Sequence, residues 1–286
     1  MSEENRGSVK ITGSGTVSGG IYESVRIAGS GTVNGDVRAG TVSCAGSARF
    51  KGKLEADELK TTGGCEIDGP VRAGEVKTSG TCTIKGNLSG DLLKCSGSQT
   101  VEGNLSTKYV RVQGSLDVAG DVEADKFLSR GTFDIGSLLS ADEIEIQLGG
   151  ECKAREIGGE EIKIDRKGKA LDIGDYDIEG NIDRVGDKLD ELGDKFGVNI
   201  EINSEKLTGE IQKLGEKLQV HLGGSAKGRM EADLIEGDEV SLKWTSAGTV
   251  RGKNVKIGEG CRIDRVEYYD SLKIGEDTEI GEKVKL

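Results

Sequence analysis

From residue 29 to residue 131 a glycine recurs at every seventeenth position, and that period limits what the chain can fold into. The series is Gly29, Gly46, Gly63, Gly80, Gly97, Gly114 and Gly131. A second glycine follows six residues after each of the first six, as Gly35, Gly52, Gly69, Gly86, Gly103 and Gly120. A fixed internal period of this kind marks a solenoid, in which each unit buries its apolar side against its neighbours.

The apolar residues keep the same register. Val33, Phe50, Ile67, Ile84 and Val101 stand four residues after the glycine, and Val37, Leu54, Val71, Leu88 and Leu105 eight after it. Val42, Leu59, Val76, Leu93, Val110 and Phe127 stand thirteen after it. Each position has a small or apolar companion two residues away, the period of a strand, whereas a helical solenoid would show a period near 3.6. Three strands and three corners then make one turn, and turns stack at about 4.8 Å. Aromatic residues make up only 3% of the chain, so the core must be built from thin aliphatic layers. The expected fold is all-β, a parallel β-helix with 17-residue turns. A first, shorter copy from Gly13 is expected to carry Val17, Ile21, Val25 and Ile27 inward.

Four segments follow. Residues 1–8 form a polar N-terminal arm and residues 9–164 the regular β-helix. Residues 165–218 form a charged insertion in which Val185, Leu189, Leu192 and Phe196, and then Leu207, Ile211, Leu214 and Leu218, follow helical spacing. A short helical insertion is expected there, containing the strand-like Val198–Ile202. Residues 219–286 return to strand pairs, such as Val240 and Leu242 or Val255 and Ile257, and form a second, less regular β-helical segment.

Charge and composition narrow the partners. A net charge of −12 argues against duplex nucleic acid. The first residues contain no apolar leader, and no stretch approaches the length of a transmembrane segment, so a cytoplasmic protein is expected. The six cysteines form no C-x-x-C pair and fall largely in apolar columns, which reads as buried thiols in a reducing compartment.

Catalytic patterns are absent from the sequence. His221 is the only histidine, which removes His-based triads and three-His metal centres, and it is expected to point outward from a strand. Asp57, Asp91, Asp125 and Asp142 sit at a repeat corner as solvated acids. The glycine-rich Gly13–Gly19 and Gly29–Gly35 lack the spacing of a dinucleotide fingerprint. No catalytic residue, metal ligand or cofactor is expected. The segments Ile257–Ile263 and Ile274–Ile280 faintly resemble the hexapeptide repeats of left-handed β-helix acyltransferases, but the dominant period is seventeen.

Alternating Val, Ile and Leu in short strands, with glycine corners every seventeen residues and no catalytic motif, resembles the bactofilins over residues 9–164, and more loosely over 219–286. The resemblance implies a right-handed β-helix that stacks end to end into cytoskeletal filaments without nucleotide. This chain departs from the family in having two repeat segments around an insertion, and no apolar N-terminal membrane-targeting stretch. The alternative is a non-polymerising β-helical binding module that docks through the insertion.

Two sets of residues carry the functional expectation. A β-helix leaves unpaired strand edges only at its ends, so Val9 and Ile11 at one end and Val284 and Leu286 at the other are the candidate self-assembly residues. Fourteen residues after the repeat glycine stand Lys60, Lys77, Lys94 and Arg111, a cationic column flanked by acids such as Glu58 and Glu75. It is either a solvated mixed-charge face or a strip for an anionic polymer, lipid headgroups or an acidic protein surface.

Overall fold

The computed structural model describes residues 7–166 and 228–286. These form an all-β parallel solenoid of about 13 turns, its nineteen strands joined in one continuous sheet. In a typical turn β4 (Ser47–Phe50) and β5 (Leu54–Thr61) lie in register on β6 (Gly64–Ile67) and β7 (Val71–Thr78). Phe50 pairs with Ile67, Leu54 with Val71 and Leu59 with Val76, each shifted by one repeat. Alternation along each strand turns these residues inward, and Leu54, Leu59, Ile67, Leu93, Val110 and Phe127 are fully buried. Fully burying such a side chain contributes roughly 1.5–3 kcal/mol, the main stabilising force of each thin layer. Where two aromatics meet, Phe127 and Phe133 pack edge to face with centroids 5.4 Å apart.

The glycine column is required by close approach between turns. A Cβ at Gly80 would run into the carbonyl oxygen of Gly63, and one at Gly97 into that of Gly80. Backbone hydrogen bonds hold this contact, Thr81 N donating to Gly63 O at 3.0 Å and Ser98 N to Gly80 O at 2.9 Å. Another corner is stapled by side chains. Asn104 N donates to Asn87 Oδ1 at 3.0 Å, Asp121 N to Asn104 Oδ1 at 3.1 Å, and Leu138 N to Asp121 Oδ1 at 3.2 Å. Pro70, the single proline, occupies the same corner where the preceding turn presents Lys53, which has no acceptor for an N–H that proline lacks.

All six cysteines are buried free thiols. Hydrogen bonding to Cys44 and Cys82 together with burial holds the Cys65 thiol well above its usual pKa, and burial pushes Cys95 up to about 12. With their pKa raised, Cys65 and Cys95 stay protonated at neutral pH and pack as small apolar side chains.

The first full turn departs from the sequence expectation. β2 (Ser14–Ile27) pairs with β3 (Ser30–Cys44), but the register slips between Ser18 and Gly20, so Gly20 meets Val37 and Ile21 meets Arg38. A shift of one residue turns a side chain to the opposite face. Ile21 therefore lies outside, 54% exposed, and Tyr22 takes the inward column with its hydroxyl donating to Ser18 O at 2.8 Å.

The later strands continue the same stack. β15 (Glu151–Arg166) pairs in parallel with β16 (Arg229–Leu242), setting Ile162 beside Val240 and Ile164 beside Leu242. β17 (Thr245–Ile257) and β18 (Arg262–Ile274) follow, with Val240, Val255 and Leu272 in one column. At the re-entry, the Arg166 guanidinium lies 3.3 Å from the centroid of the Trp244 ring, and its Nε donates to Gly228 O at 3.1 Å. Trp244 adopts φ 52° and Gly260, packed under its ring, φ 70°. The helices expected around Val185–Phe196 and Leu207–Leu218, the strand Val198–Ile202 and His221 lie outside the described residues.

Candidate functional site: the solenoid ends and outer faces

Each end of the described stack is a step. At the N-terminal end β1 (Val9–Ile11) covers only Val25–Ile27 of β2, leaving the edge from Ser14 to Tyr22 without a partner strand among the described residues. The core columns ending there hold Val9, Ile11, Gly15, Val17, Gly20 and Tyr22, with no charged side chain among them. At the other end β19 (Glu279–Lys285) covers Arg262–Tyr268 of β18, leaving Leu272–Ile274 without a partner strand among the described residues. Ile274 is 42% exposed, although its column is fully buried one turn earlier at Ile257.

Pairing places the residues of β19 differently from their hydropathy. Ile280 aligns with the buried Ile263, which puts Lys283 in the core column of Val266 and Lys285 in that of Tyr268. Val284 stands in the outward column of Arg251 and Glu267, and Leu286 is 51% exposed, with its N–H on Tyr268 O at 2.9 Å. Sequence reasoning missed Lys283, Lys285, Ile274 and Tyr22 as end residues, because their faces follow from inter-turn pairing.

The cationic column lies on one outer face, in register from turn to turn. Lys60 pairs with Lys77, Lys77 with Lys94 and Lys94 with Arg111. The flanking acids draw part of it in. Lys77 Nζ lies 2.8 Å from Glu75 and 3.3 Å from Glu58, and Lys94 Nζ 3.7 Å from Glu75. The Glu75 hydrogen bond foremost raises the Lys77 pKa. Two other charge clusters tie turns together. Arg49 and Lys85 share Glu66 and Asp68, and Arg251 and Arg265 share Glu267 at 2.6 and 2.7 Å.

The Glu267 carboxyl is held below the usual range, by Arg251 first and then Arg265. A carboxyl lowered on folding adds stability that is present above its unfolded pKa, about 4.3, and lost as pH falls through the folded value. Glu267→Gln is expected to melt below the wild type at neutral pH, and the gap to close on acidification below about pH 4. Thermal melts across that range check this, and a gap that stays constant would contradict it.

An open groove of about 780 Å³ follows one corner past Arg38, Glu55, Arg72, Ser89 and Ser106. Asp57 and Asp91 line it too, Asp91 bound to Lys108 at 2.7 Å. Among the described residues no cluster of three or more His, Cys, Asp or Glu is placed to hold a metal ion, and no helix is long and apolar enough to cross a membrane.

YhbF of Bacillus subtilis, an uncharacterized protein, is 48% identical over 60 residues, 21% of this chain and 26% of the relative. YhbE of the same organism, also uncharacterized, is 40% identical over 57 residues, 20% of this chain and 24% of the relative. The matched stretches thus span about a quarter of each relative. No solved structure matches significantly. Residues 3–89 match the bactofilin family model, described as polymer-forming cytoskeletal. Over residues 3–89, where the β-solenoid begins, the chain is thus similar to the bactofilin family, whose model is described as polymer-forming cytoskeletal.

Proposed function

We propose that this protein is a structural, non-enzymatic scaffold of the cytoplasm that assembles end to end into filaments without nucleotide and recruits partners along its sides. The observation that supports this is that, among the described residues, both ends of the stack are steps whose strand edges have no partner strand. Head-to-tail stacking continues every core column: Leu272 onto Val9, Ile274 onto Ile11, Ile280 onto Val17 of the next molecule. In the same arrangement Lys283 lies over Gly20, beside which the Tyr22 ring packs, and Lys285 over the column of Tyr22, so that both lysines come near that ring in a favourable cation–π placement. The right hand of the coil follows from the bactofilin resemblance, and Lys60, Lys77, Lys94 and Arg111 supply the lateral strip.

One observation favours a second reading, the non-polymerising binding module. Lysine in core columns is a known means of blunting a strand edge, and Lys283 and Lys285 stand in two such columns. Electron microscopy and light scattering of the full chain without nucleotide separate the two. Filaments are expected; uniform monomers at every salt concentration would refute assembly and leave the binding module.

A further inference from the structure

The face that carries the cationic column has a second column beside it, two residues earlier on the same strands and therefore roughly 6.6 Å away. Its members are Glu58, Glu75, Leu92, Tyr109, Lys126, Glu143 and Glu161, in register over consecutive turns. The cationic column continues past Arg111 through Leu128 and Glu145 to Lys163. Leu92, Tyr109 and Leu128 face outward on this surface, intermediate in burial, and form an apolar centre. Acid and base columns extend to both sides of it: Glu58 and Glu75 beside Lys60 and Lys77 on one, Glu161 beside Lys163 on the other. An apolar, aromatic-containing middle with a charged surround is the anatomy of a protein interface.

We infer that this face is a lateral interface for a second copy of the same chain, the two solenoids lying side by side and pointing the same way. This rests on the lateral half of the proposal above and names its partner. A two-fold axis parallel to the solenoid axis exchanges the two columns. It sets Lys60 against the other copy's Glu58, Lys77 against its Glu75, Lys163 against its Glu161, and Arg111 against its Tyr109 ring. Such an interface is self-complementary, as two-fold contacts must be. Three turns add no ion pair: Lys94 faces the other copy's Leu92, Leu128 faces its Lys126, and Glu145 meets Glu143, where Lys126 lies 2.8 Å from Glu143 within its own chain.

Antiparallel pairing about the same centre sets Leu92 against Tyr109, Lys60 against Glu145 and Glu75 against Lys126, but also Lys94 against Arg111 and Glu58 against Glu143, so its charge contacts cancel where those of the parallel pair add. A flat anionic membrane would cover the acidic column along with the basic one, and a linear polyanion would make no use of the apolar centre. Exposed ion pairs contribute little singly, so the interface depends on their repetition and is sensitive to salt.

The test is a charge exchange between copies. One variant carries Lys60→Glu and Lys77→Glu, the other Glu58→Lys and Glu75→Lys. Sedimentation and mass per unit length by electron microscopy read the outcome, with thermal melts confirming the fold. The wild type is expected to double in mass at about 0.05 M salt and to return to single solenoids at about 1 M, where screening reaches about 3 Å. Each variant alone should stay single, and an equal mixture of the two should pair again, because each then offers the charge the other lacks. Tyr109→Lys, a single surface change facing the other copy's Arg111, should also abolish pairing should either double variant fold poorly. If end-to-end assembly fails, pairing appears as discrete dimers; if pairing fails, filaments stay one solenoid wide. A wild type that stays single at low salt, a mixture of folded variants that does not pair, or Tyr109→Lys that pairs normally overturns the inference.

Discussion

Gly80→Ala is expected to destabilise the solenoid by about 1–3 kcal/mol, the usual cost of forcing an extra methyl group into a packed position. Ordinary glycine-to-alanine changes within regular structure stabilise by removing backbone freedom, so the expected sign is reversed here. The reason is the absence of space, since the new Cβ would meet the Gly63 carbonyl oxygen, which accepts the hydrogen bond from Thr81. Relief requires the two turns to separate, which lengthens that bond and the core contacts beneath it. Because a solenoid transmits strain mainly to neighbouring turns, faster amide exchange should concentrate near residues 63–98, detectable by mass spectrometry. Gly64→Ala is the control, as a Cβ there meets nothing within 4 Å. Equal loss of stability for the two would show that packing between turns is not the cause.

The second large effect is expected at the opposite end of the stack. Ile274→Asp should raise the concentration needed for end-to-end assembly by at least about 100-fold, which corresponds to roughly 2.7 kcal/mol. Burying an isoleucine contributes roughly 1.5–3 kcal/mol, and a carboxylate placed in the same apolar contact adds its own desolvation cost. Ile274 is already partly exposed within one chain, so the fold should tolerate the change. Val284→Asp is the informative companion. Val284 stands in an outward column with Arg251 and Glu267, so assembly should be nearly unaffected. Pelleting across a concentration series reads both, and an Ile274→Asp protein that assembles like the wild type would remove the terminal columns from the interface.

Comparison of residues shows what could be read from the sequence. Val42, Leu59, Val76 and Leu93 were legible as a column because one repeat length and one strand alternation fix both their turn and their face, and all four are buried. Ile21 was misplaced because the missing residue of the short turn lies beside two consecutive glycines, Gly19 and Gly20. Either alignment satisfies the glycine spacing, and inter-turn hydrogen bonding chooses the one that turns Ile21 outward. Hydropathy singled out Val284 and Leu286, whereas pairing of Ile280 with Ile263 dictates the face of every later residue in the strand. The proposed lateral surface is not legible within one repeat, because Leu92 and Tyr109 differ from their acidic neighbours only when the twelfth position is read across turns. That signal was present in the sequence.

The passage from Ile164 to Leu242 joins adjacent layers although a long stretch of chain lies between them, and the inward columns cross it without losing step. Material added at a bend leaves the pitch of the coil untouched, whereas material added as a whole repeat advances it by one layer. Length and decoration are thus separately adjustable properties of this architecture, one counted in repeats and the other attached at the bends. A lineage can alter either while conserving the other.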